Sequence, residues 1–118
     1  MGVRGVDGYG QGGGVKIEEF QQVIDDIYGE RDRARGTGGT YMWLCEEVGE
    51  LSRALRKGEQ DNLDEEFADV LAWLCTLASM HGVDLEKAAQ KKYGAGCPRC
   101  SSTPCDCPVS ASGHPSDG

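Results

Sequence analysis

Apolar residues recur along this chain at steps of three and four, the period of an amphipathic helix. Ile17, Phe20, Val23, Ile24 and Ile27 predict a first helix from about Lys16 to Arg33. The stretch RGTGGT, residues 35–40, then reads as a loop, with Thr40 placed to cap the next helix. Leu44, Val48, Leu51 and Leu55 form the stripe of that second helix, which ends at Gly58. A third helix carries Leu63, Phe67, Val70, Leu71, Leu74, Leu77 and Ala78, with Asn62 as its N-cap and Glu65 closing a capping box. It stops at His81-Gly82. Asp84 starts a short fourth helix that turns Leu85, Ala88 and Ala89 inward and ends near Tyr93-Gly94.

No segment alternates with the period of a strand. The expected fold class is all-α: a helical bundle of three to four helices with a C-terminal cysteine-rich knuckle. The expected organisation is a flexible glycine-rich tail over residues 1–14, a helical domain over 15–94, a cysteine-rich segment over 95–108 and a disordered tail over 109–118. So few short helices bury a modest fraction of their unfolded surface. Completion by homo-oligomerisation, as a homodimer or homotetramer, is therefore expected.

Charge narrows the function. The net charge of −8 disfavours a broad basic surface for a nucleic-acid polymer. It leaves room for a small nucleotide, because a bound cation inverts the local charge. No apolar run reaches the roughly 20 residues of a membrane span. MGVRGVDGYGQGGG at the start lacks the apolar stretch of a secretory signal, so the expected location is cytoplasmic.

The segment LCEEVGEL, residues 44–51, places like charges one turn apart, Glu46 and Glu50, and a glycine inside a helix. The repulsion costs a few tenths of a kcal/mol, and Gly49 about 1 kcal/mol relative to alanine. On a wheel at about 100° per residue, Glu47 lies at the edge of the apolar stripe and Glu50 beside it, with Trp43 on the same flank. Glu46 lies farther toward solvent. The third helix repeats the arrangement with Glu66, Asp69 and Trp73. Acids beside an apolar stripe are commonly a solvated face. Two i,i+3 pairs on matching flanks also suit a shared divalent cation, and oxygen-only ligands favour Mg2+ or Mn2+. Gly49 would then admit a close neighbour or ligand.

WLCEEVGEL followed by EFADVLAWLCTLA, with GVDLEKAAQKKY beyond, resembles the MazG-like branch of the all-α nucleoside triphosphate pyrophosphohydrolases. That family's motif is EExxE, a spacer, then ExxD; here it falls on Glu46, Glu47, Glu50, Glu66 and Asp69. The resemblance implies metal-dependent hydrolysis of a nucleoside triphosphate to the monophosphate and pyrophosphate. It implies Glu47, Glu50, Glu66 and Asp69 as Mg2+ (or Mn2+) ligands, and Glu46 or Glu47 as the catalytic acceptor of the water proton. Trp73, and less directly Trp43, would contact the base; Lys91 and Lys92 would contact phosphates.

Cys97, Cys100, Cys105 and Cys107 form C-x2-C-x4-C-x-C, a spacing suited to a structural Zn2+ site, with two disulfides or free thiols as alternatives. Cys45 and Cys75 are expected to be packed thiols. His81 is expected at a helix end and His114 in the tail. A di-iron bundle is excluded, because neither histidine has an acid three residues before it. The competing function is a non-catalytic helical dimer whose zinc knuckle makes it a nucleotide- or protein-binding module.

Overall fold

A computed structural model describes residues 14–109. The expected tails, with His114, lie outside the described residues except for positions 14 and 109. The described residues form three helices in the order α1 (Ile17–Lys57), α2 (Gln60–Met80) and α3 (Leu85–Tyr93). They account for all the regular structure longer than a single residue among the described residues.

The first two expected helices are the two arms of α1, and they meet at a kink rather than across a six-residue loop. α1 continues through residues 35–40, and its only break is at Gly36, where φ 88° and ψ 168° leave the helical region. That backbone conformation is open to glycine and strained for any side chain. Thr40 is therefore not an N-cap. It is fully buried, and its hydroxyl accepts a hydrogen bond from Arg35 Nη1 at 3.1 Å. The same nitrogen reaches Asp32 Oδ1 at 3.0 Å, so Arg35 ties the arm before the bend to the arm after it.

Glu18 and Glu19 in the first turn of α1, and Arg56 and Lys57 in its last, complement the helix dipole. Glu19 also accepts from the Lys16 backbone N–H at 3.1 Å. Gly58 ends α1 in the left-handed conformation expected of it, φ 74°. The N-cap of α2 is Glu59, three residues before the expected Asn62, whose side chain instead donates to Glu59 Oε1 at 3.0 Å. This start leaves Glu65 beyond the third helical position, so no capping box forms there. α2 ends at Met80 with His81 as C-cap, as the sequence indicates.

The chain divides between Leu85 and Glu86 into two compact units. In the first, both arms of α1 pack on α2. Its buried residues are Ile24, Gly29, Ala54, Cys75 and Ala78 together with the polar Gln21, Asp32, Thr40 and Thr76. The polar members are paired, as buried polar groups must be. Gln21 donates to Ser79 Oγ (3.0 Å) and the Val83 carbonyl (2.8 Å), and accepts from the Leu85 N–H (3.0 Å). Thr76 donates to Asp32 Oδ2 at 3.0 Å, and Thr37 Oγ1 meets His81 Nε2 at 3.0 Å.

The inward faces differ from the expected stripes. Val48, Leu55, Phe67, Leu71 and Leu74 are exposed, Phe67 by 55% and Leu55 by 56%. Leu44 and Leu51 of the expected α1 stripe do face inward, joined by Thr40, Glu47 and Ala54. A wheel centred on these residues puts the acids on one flank and Tyr41, Val48 and Leu55 on the other. In α2 the acids and Trp73 likewise lie opposite Phe67, Leu71 and Leu74. The paired helices thus have an acidic side and an apolar side. A Cβ at Gly49 would meet no neighbouring atom within 4 Å, so among the described residues none uses the room expected of it.

In the second unit none of the described residues, 86–109, is buried. Ala88 and Ala89 are exposed rather than turned inward. Of the two helical cysteines, Cys75 is packed and burial pushes its thiol up to about 11, whereas Cys45 is exposed.

Candidate metal centre and adjoining cleft

α1 and α2 run antiparallel after the turn at Gly58. Residues whose numbers add to a constant therefore face each other. Glu47 meets Glu66 and Asp69, and Trp43 meets Trp73. One carboxylate oxygen from each of Glu47, Glu66 and Asp69 lies within 4.8 Å of the other two. Glu47 and Glu66 are half-buried and Asp69 is exposed. Oε1 of Glu66 is buried with no hydrogen-bond partner. Burial first, then the charges of Asp69 and Glu66, raise the Glu47 carboxyl above the usual glutamate value. Three acids and an orphaned buried oxygen form a donor set that suits a hard divalent cation.

Glu50 stands outside this trio. It pairs with Arg53 at 3.3 Å on a surface shared with Lys57 and Asn62. Glu46 is exposed and outside the group. Lys91 and Lys92 are exposed in the last turn of α3, in the second unit. Lys92 lies over the Tyr93 ring, 5.6 Å from its centroid.

A cleft of about 720 Å³ opens beside Asp69, between the first arm of α1 and the second half of α2. Ile24, Tyr28, Arg31, Asp32, Ala34 and Arg35 line one wall, and Asp69, Ala72, Trp73 and Thr76 the other. Trp73 stacks on Trp43 with centroids 6.1 Å apart and planes 12° from parallel. The Arg35 guanidinium sits over the Trp73 ring at 4.9 Å. The periodicity does not reveal Asp32, Arg35 or Thr76 as members of this wall. In one dimension they are polar residues beside a glycine-rich stretch or within an apolar stripe.

The profile of the MazG nucleotide pyrophosphohydrolase domain matches residues 37–100. The chain belongs to this family. The matched range contains both acidic pairs and the two tryptophans, and agrees with the resemblance carried by the EExxE and ExxD motifs. It omits the first arm of α1, and with it one wall of the cleft. No curated protein matches the chain. Among the described residues no helix is long and apolar enough to cross a membrane.

The matched range also stops inside the cysteine segment, which is described by itself. Cys97, Cys100, Cys105 and Cys107 each bring a sulfur within 4.8 Å of the other three. Backbone N–H groups of Asp106 and then Ser102 hold the Cys100 thiol down to about 6. The Cys105 side chain and the loss of solvent push Cys107 up to about 12.

Proposed function

We propose that this MazG-family chain is a nucleoside triphosphate pyrophosphohydrolase that uses Mg2+ or Mn2+. The observation that carries the reading is the convergence of Glu47, Glu66 and Asp69, with an unpartnered buried oxygen on Glu66, beside a cleft of about 720 Å³ that Asp69 also lines. Glu47, Glu66 and Asp69 would hold the cation. Glu50 joins them by leaving Arg53, an exposed pair whose loss costs at most about 1 kcal/mol. A bound divalent cation supplies neutralisation of phosphate charge and a more acidic water. Attack of water at the α-phosphorus then breaks its bond to the bridging oxygen and releases pyrophosphate. Glu47, through a carboxylate oxygen not committed to the cation, is the proposed proton acceptor. Glu46, exposed one residue earlier, is the alternative.

Asp69 belongs both to the acidic group and to the cleft, so a substrate with its phosphates at the acids places its base toward Trp73. Arg35 already lies over that ring, and an entering base takes its place or stacks with it. The same reading includes a homodimer or homotetramer. The exposed Val48, Leu55, Phe67, Leu71 and Leu74, on the side opposite the acids, suit a second copy.

Pyrophosphate release across the common and deoxy triphosphates, with and without Mg2+, tests the proposal. Turnover is expected only with the metal. Glu50→Ala and Asp69→Ala are expected to abolish it while leaving helical content unchanged. Absence of release from every triphosphate favours the non-catalytic module instead, and full activity in both variants would remove Glu50 and Asp69 from the reaction.

A further inference from the structure

The cysteine segment takes no part in that reaction, yet it is the best-organised cluster outside it. No apolar core orders residues 86–109, since none of them is buried. The four sulfurs converge all the same, each within 4.8 Å of the rest. The Sγ atoms of Cys97 and Cys107 are 3.8 Å apart. A tetrahedron with metal–sulfur bonds of about 2.3 Å has edges of about 3.8 Å. A disulfide needs about 2.05 Å.

The backbone is shaped around the same sulfurs. Ser101 N–H bonds to the Cys97 carbonyl at 2.7 Å, and Cys97 N–H to the Ser102 carbonyl at 3.1 Å, which closes the Cys97–Cys100 turn. Ser101 adopts φ 61° to make it. Two amides point at sulfur: Asp106 N–H at Cys100 Sγ, 3.2 Å, and Cys107 N–H at Cys105 Sγ, 3.3 Å. Such bonds favour a thiolate over a thiol, and they orient it as outer partners of a metal ligand do.

We propose that Cys97, Cys100, Cys105 and Cys107 bind one Zn2+ as a closed tetrathiolate, and that this ion does for the second unit what a hydrophobic core does for the first. Four thiolates saturate zinc, so the site has no open position for substrate and its role is structural. Soft sulfur ligands exclude Mg2+ and Mn2+, which keeps the two metal sites chemically separate. The proposal is independent of the hydrolytic reading, because the acids of α1 and α2 take no part in it.

The full chain, purified under reducing conditions without added metal, tests it by elemental analysis for zinc and iron. One zinc per chain and no iron is the expected result. A thiol-specific mercurial should release that zinc in step with four thiols. Cobalt exchanged into the site should show the visible bands of a tetrahedral tetrathiolate. The double variant Cys100→Ser, Cys105→Ser should lose the ion. If that variant fails to fold, chelation of the parent chain serves instead, and residues 95–109 should become protease-sensitive while α1 and α2 keep their helicity. Iron in place of zinc, two disulfides or four free thiols by mass spectrometry, or zinc retained by the double variant would each overturn the proposal.

Discussion

Replacing Glu66 by glutamine should have opposite effects with and without metal. Glu66 faces Glu47 and Asp69, with carboxylate oxygens of all three within 4.8 Å. Two unit charges at that distance repel by about 0.9 kcal/mol at the dielectric constant of water and about 3.5 kcal/mol at an effective value of 20. Asp69 is exposed and the other two are only half-buried, so screening keeps each pair near the lower figure. Removing the charge of Glu66 relieves two such pairs, about 1–2 kcal/mol in the metal-free chain. For a domain of this size, each kcal/mol raises the melting temperature by about 4–8 °C. Glu66→Gln should therefore melt higher than the parent in chelator. The parent alone should then gain on adding Mg2+, by about 1.4 kcal/mol at ten times the dissociation constant. Far-UV circular dichroism melts of both proteins, in chelator and in Mg2+, measure all four quantities. If the variant melts no higher than the parent without metal, or gains as much from Mg2+, the three carboxylates do not share a cation.

The polar core, the bend and the apolar side each make a further prediction. Thr76→Val removes the hydroxyl that donates to buried Asp32 Oδ2 and should cost about 1–3 kcal/mol in urea denaturation; an unchanged midpoint would show that the bond contributes nothing. Gly36→Ala forces a side chain into φ 88°, ψ 168° and should destabilise by about 1–3 kcal/mol in the same assay. If the proposed self-association uses the side opposite the acids, Phe67→Glu should shift the sedimentation coefficient to that of a monomer while activity per folded site falls; a monomeric parent would refute it. Stability should also depend on pH. The folded state raises the pKa of Glu47, so it binds that proton more tightly than the unfolded chain does. This contribution is complete below the ordinary glutamate value and is lost as pH rises through the raised one. Metal-free melts should fall over that range, and Mg2+ should offset the fall.

Several features are legible without coordinates because each depends on neighbours in the chain. Helical periodicity locates α2 and α3 and both arms of α1. A glycine at position 58 marks a helix end, and the EExxE and ExxD spacings bring the acids to one flank of each helix. Close cysteine spacing likewise announces a cluster. Other features depend on what packs against a helix, and a wheel carries no record of that. Periodicity finds a stripe but not the helix's rotation about its own axis. Here the rotation turns Glu47 and Glu66 toward the interface and leaves Val48, Leu55 and Phe67 outside. The glycine and threonine residues of 35–40 read as a loop, yet they remain helical on both sides of one bend. Arg35 holds Asp32 before the bend and Thr40 after it, so a second helical arm starts directly beyond Gly36. Gln21, Asp32 and Thr76 look like surface residues until α1 packs against α2 and the turn that follows it, where each finds hydrogen-bond partners 44 to 64 positions away. Local energetics set the elements and their acidic flanks, and long-range partners decide which polar groups are buried and where the cleft opens.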